Sequence, residues 1–172
     1  MDGHRGSGAT LRRSRLVVVT AISALALVGA CSGSSGGATA SPSTAGVAST
    51  VDVKLQEFAI LPDVASVPAG KVTFLVGNTG PDDVHELVVL RTDLAADALP
   101  VDKDGKVTED VDGVTNVGEV GDIEVGGTAT LDVDLAPGKY VLVCNILQTE
   151  PDGSLEAHYK VGMRTPFEVT AP

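Results

Sequence analysis

Four side chains in this sequence have the donor chemistry to hold a soft metal ion: His85, Cys144, His158 and Met163. The 172 residues include only 3 histidines, 2 cysteines and 2 methionines, and the remaining three of these, Met1, His4 and Cys31, all lie at or before position 31. Two imidazoles, a thiol and a thioether suit copper. Imidazole serves both of its oxidation states, and the sulfurs favour Cu(I). Zinc also takes Cys and His, but it wants four strong ligands, or three and a water, so a methionine in the set favours copper. No nucleophile, base and acid are grouped for catalysis. A Cys144–His158 thiol–imidazole pair would have no recognisable oxyanion-binding loop beside it, and the chain is not expected to be an enzyme. Taken singly, each residue has a plainer role: a cysteine as buried filler, a histidine at the surface, a methionine in a core. A metal-free β-sandwich interaction module would use them that way. A lone thiol outside the cytoplasm is unusual, however, unless it is bonded or holds a metal.

The N-terminus gives the compartment. Arg5, Arg12, Arg13 and Arg15 form a basic region, Leu16 to Val28 is almost wholly apolar or small, and Gly29-Ala30 precede Cys31. That order marks a secretory signal over 1–30. The apolar run is too short to span a bilayer, which takes roughly 20 residues. A cysteine directly after Val28-Gly29-Ala30 resembles a bacterial lipobox. The resemblance implies that Cys31 is lipidated and becomes the new N-terminus, anchored at the extracytoplasmic face of the membrane. Residues 31–50 are rich in Ser, Gly and Ala and nearly free of large apolar side chains. They cannot offset the entropy of ordering and read as a flexible spacer. The folded domain is expected over 51–172. Removing Arg5, Arg12, Arg13, Arg15 and Asp2 takes the 12 basic and 23 acidic residues to 8 and 22, a net charge of −14. Such a surface argues against nucleic acid as a partner and against electrostatic binding to anionic lipid.

The elements that must position the four donors read as strands. Val51, Val53 and Leu55 alternate with polar residues, as do Val72, Phe74 and Val76, and Ala129, Leu131, Val133 and Leu135. A period of two marks a strand with one buried face. Val84–Arg91 and Lys139–Asn145 are more continuously apolar, as central strands would be. Thr165–Thr170 looks like a closing strand and Val117–Val125 is a weaker one. Turn signals at Pro68-Ala-Gly70, Asn78-Thr-Gly80-Pro81, Gly126-Gly127 and Pro137-Gly138 separate these runs. The sum is an all-β antiparallel sandwich. A long irregular insertion spans about 92–116, with a short helix expected over Asp93–Leu99. Its charged stretch Asp102–Asp112 lacks the terminal Glu and flanking helices of a calcium loop. Cys144 falls in phase with Tyr140 and Leu142, so the three share one strand face.

Three segments carry a family resemblance: Val76-Gly-Asn-Thr-Gly80 leading to His85-Glu-Leu87, Pro137-Gly-Lys-Tyr-Val-Leu-Val-Cys144, and His158-Tyr-Lys-Val-Gly-Met163. They look like a cupredoxin, the type 1 or blue-copper domain. The resemblance implies a Greek-key β-sandwich binding one type 1 copper ion. His85, Cys144 and His158 would be its in-plane ligands and Met163 its axial one. It further implies a monomeric single-electron carrier with a redox protein as partner and a histidine near the surface as the electron exit. Copper binding or delivery without redox cycling is the alternative. Two departures stand out. Asn145–Ala157 makes a longer loop between Cys144 and His158 than the family has, and Glu86 follows the first histidine, where an acidic side chain would lower the reduction potential.

Overall fold

A computed structural model describes residues 48–172. The signal segment 1–30, the lipidation of Cys31 and most of the spacer lie outside the described residues. The first strand, β1 (Ser49–Gln56), begins just ahead of the expected domain boundary at 51. None of the described residues forms a helix long and apolar enough to cross a membrane.

The fold is all-β, as expected, with two main sheets. The first contains β1, β2 (Ala59–Pro62), β4 (Gly70–Asn78) and β7 (Thr128–Leu135) in the order β2-β1-β4-β7. The second contains β3 (Ser66–Pro68), β5 (His85–Thr92), β6 (Val114–Ile123), β8 (Gly138–Val143) and β11 (Arg164–Thr170) in the order β3-β11-β8-β5-β6. The chain crosses between sheets after β2, β3, β4, β6 and β7, so neighbours in space are often not neighbours in sequence, as in a Greek-key sandwich. β1 lies parallel to β4 and β3 parallel to β11; the other pairings in these two sheets are antiparallel.

The period-two strands bury the faces their sequences mark. Val51, Val53 and Leu55 of β1 and Val72, Phe74 and Val76 of β4 enter one core, where Phe74 meets Phe167 edge-on. The continuous apolar runs have a different cause. β5 and β8 are covered on both faces. Leu87, Val89, Tyr140 and Leu142 point into the sandwich, whereas Val88, Leu90, Val141 and Val143 join Leu99, Val107, Val114 and Tyr159 in a second cluster. The irregular segment between β5 and β6 forms part of that second cover.

No helix forms within this segment, contrary to the expectation over Asp93–Leu99. Pro100 has no N–H to donate to the Ala96 carbonyl, so a helix would stop there. Tyr159 takes the freed groups instead: its hydroxyl donates to the Ala96 carbonyl at 2.9 Å and accepts from the Leu99 N–H at 3.1 Å. The single helical turn of the described residues, α1 (His158–Val161), lies elsewhere and begins on one of the candidate donors.

Candidate metal centre

Three of the four donors meet at one end of the sandwich. His85 opens β5, Cys144 directly follows β8, and His158 opens α1. Cys144 shares the buried cluster of Tyr140 and Leu142, which confirms the phase read from the sequence. His85 Nδ1 lies 3.2 Å from His158 Nδ1, and His158 Nδ1 lies 3.3 Å from Cys144 Sγ. All three residues are 0% exposed. Met163 is also fully buried, in the cluster that holds Cys144, and its carbonyl accepts from the Cys144 N–H at 3.1 Å. Gly162 sets up this approach. Its φ of +132° suits glycine, and a Cβ there would stand 2.9 Å from the Phe58 carbonyl oxygen.

The long loop after Cys144 resolves into a small hairpin, β9 (Leu147–Thr149) and β10 (Leu155–Ala157), turned through Glu150–Ser154. Ala157 pairs with Leu147, and the His158 N–H donates to the Ile146 carbonyl at 3.0 Å. The extra residues therefore bulge out in pairs and return His158 to Cys144. Gln148 ties the hairpin to the loop before β5 by donating to Asp83 Oδ1 at 2.7 Å. Neither histidine reaches the surface. The expected exposed imidazole is absent because the hairpin's closing residues and Phe58 enclose His158. The Phe58 ring packs edge-on at 5.6 Å between centroids.

Several supporting residues escaped the sequence reading. The Glu57 carboxylate accepts from the Asp82 and Asp83 N–H groups at 3.1 and 2.6 Å, and stands 3.4 Å from His85 Nε2. Asn78 is buried and donates to the Asp83 and Ile123 carbonyls, fixing the same loop. Asn145 exchanges hydrogen bonds with the Val107 backbone and so anchors the irregular segment beside the site. Glu86 is half-buried rather than solvated, and accepts from the Asn145 N–H at 2.9 Å, one residue past Cys144. Asn78 lies within the Val76-Gly-Asn-Thr-Gly80 segment. Glu57, in a charged turn, gave no sequence signal.

Electrostatics fit a cation. Burial pushes the Cys144 thiol up to about 12, while the backbone amides of Glu86 and Ile146 pull the other way. Burial lowers both histidines, opposed at His85 by Glu57 and reinforced at His158 by His85. Two neutral imidazoles facing each other through Nδ1 hold lone pairs that a cation would satisfy. Among the described residues, the buried side-chain atoms without a hydrogen-bond partner are Glu57 Oε2, His85 Nε2 and His158 Nε2, all at this site. The convergence of His85 Nδ1, His158 Nδ1 and Cys144 Sγ in a fully buried cluster fits a metal better than it fits an apolar core.

The lowered histidines also predict a pH dependence. At and below about pH 6.5 the unfolded chain binds protons that the metal-free fold resists. Stability from this source is complete above that value and falls as the pH drops through it. The thermal midpoint of the metal-free chain should decrease between about pH 7.5 and about pH 5.5. A flat profile there would show that these imidazoles are not buried.

The fold is a cupredoxin-like β-sandwich, with the His85, Cys144 and His158 cluster buried at one end. Solved structures similar in fold include dithionite-reduced auracyanin from the photosynthetic bacterium Roseiflexus castenholzii, 22% identical over 73% of this chain and 97% of that one, with a TM-score of 0.45. Auracyanin A, described as a "blue" copper protein from Chloroflexus aurantiacus, is 18% identical over 72% of this chain and 100% of its own, with a TM-score of 0.41. Reduced rusticyanin is 20% identical over 70% and 79%, with a TM-score of 0.43. No protein-family model and no curated protein sequence matches the chain.

Proposed function

We propose that the chain is a copper-binding, single-electron carrier, held at the outer face of the cell membrane through lipidated Cys31. The observation that supports this most is the convergence of His85 Nδ1, His158 Nδ1 and Cys144 Sγ in a fully buried cluster. His85, Cys144 and His158 would hold the metal, with Met163 as a weaker fourth donor. Copper, when bound, supplies the Cu(I)/Cu(II) couple. The protein's part is to hold neutral imidazoles and a thiolate in one geometry for both states. Enclosure by the hairpin and Phe58 excludes water and limits rearrangement. Phe58, only partly buried against His158, would make the contact with a redox partner that neither imidazole can make. A lipid tether would raise the local concentration of membrane-bound redox partners. The chain would act as a monomer and not as an enzyme.

Copper delivery is the competing use, and a buried site disfavours it because release would need the hairpin to open. The test is to cycle the copper-loaded chain between oxidant and reductant beside a Cu(I) chelator. An electron carrier keeps its copper through repeated cycles at a reproducible potential. Rapid loss of the reduced ion to the chelator would instead favour delivery.

A further inference from the structure

His158 has two ring nitrogens, and the cluster with His85 and Cys144 uses only Nδ1. Its Nε2 is buried and has no hydrogen-bond partner. Asp83 and Glu156 approach the same ring, and the ligand atoms of Asp83, Glu156 and His158 all lie within 4.8 Å of one another. Both carboxylates are half-buried. Because Nδ1 is turned toward His85 and Cys144, we assign the unpartnered Nε2 to the side of these carboxylates. Gln148 Nε2 donates to Asp83 Oδ1 at 2.7 Å and to Glu150 Oε1 at 3.2 Å, which draws a third carboxylate to this side. Among the described residues no lysine or arginine pairs with Asp83, Glu150 or Glu156. Clustered carboxylates repel unless a cation lies between them, and a buried orphan nitrogen is costly.

One ion would answer both. We propose that Asp83, Glu156 and His158 Nε2 form a second cation site, suited to a borderline divalent ion such as Zn²⁺, which shares the His158 imidazole with the copper site. Two carboxylates and an imidazole are donors that zinc accepts, and solvent can fill its open position. Three atoms no more than 4.8 Å apart have a centre within roughly 2.8 Å of each, so a closure of less than about an ångström reaches zinc distances of about 2.0–2.2 Å. Where Nδ1 also holds copper, zinc would take the Nε2 lone pair and that nitrogen's proton would leave to solvent. His158 would then serve both ions, one through each ring nitrogen, and no electron would change hands. The inference rests on the copper reading only through this sharing.

The test adds Zn²⁺ to the copper-loaded full chain, with metal analysis after dialysis. One zinc per chain is expected, with one proton released per zinc and a shift of the copper absorption. Asp83→Asn with Glu156→Gln should weaken zinc at least about tenfold while copper stoichiometry and its band persist. Absence of zinc uptake, or uptake unchanged in the double variant, would overturn the proposal. The same titration on Cys144→Ser separates the two readings. Zinc binding there that still requires Asp83 and Glu156 supports the second site even if the copper reading fails. Binding there that ignores both carboxylates contradicts it.

Discussion

Replacing Cys144 by serine should cost the chain more than about a hundredfold in copper affinity, beyond the 10–100-fold typical of losing an outer-shell partner. Cys144 Sγ is the one soft anionic donor beside the two imidazoles, 3.3 Å from His158 Nδ1 and 0% exposed. A serine hydroxyl is a harder donor and does not ionise under these conditions. The thiol itself is held near pKa 12, so metal binding must displace its proton. Copper affinity of the unaltered chain should therefore rise about tenfold per pH unit once both imidazoles are neutral, and the serine variant should lose that slope. Chelator competition at several pH values measures both effects. Burying a hydroxyl costs roughly 1–3 kcal/mol, so the metal-free thermal midpoint serves as the control for folding. A serine variant that kept its affinity and slope would remove Cys144 from the site.

Glu57→Gln carries the second large effect. The Glu57 carboxylate is fixed by two backbone N–H groups and stands beside His85 Nε2. Burial tends to raise it, but the bonds from Asp83 and Asp82, with His85 nearby, leave it lowered overall, so it is an anion at neutral pH. An anion on the far nitrogen makes Nδ1 a better donor and favours the more highly charged copper ion. Glutamine keeps the shape and removes the charge. The reduction potential should rise by something on the order of 50 mV, the scale of one partly screened charge near the metal. Protein-film voltammetry reads this directly. An unchanged potential with intact copper loading would show that Glu57 serves the loop alone.

Much of this was legible in the sequence because the strands alternate cleanly. β1 and β4 announce their buried faces, and the phase of Tyr140, Leu142 and Cys144 places the thiol in the core without any tertiary information. The donors themselves stood out by scarcity. The helix expected over Asp93–Leu99 failed for one local reason, Pro100, and one distant one: Tyr159 captures Ala96 and Leu99 across the fold, which no local pattern reveals. Glu57 failed for a similar reason. A glutamate in a turn looks solvated until the β4–β5 loop folds onto it. Glu86 was visible as a neighbour of His85, but its bond to the Asn145 N–H depends on the pairing of β5 with β8. The burial of His158 likewise depends on a hairpin whose sequence reads simply as a polar loop.

The most direct measurement is the visible spectrum of the full chain titrated with Cu(II). One copper per chain with an intense thiolate-to-copper absorption is the predicted result, since His85, Cys144 and His158 already converge. A folded chain that takes up no copper, or binds it without that band, would contradict a thiolate-ligated copper centre.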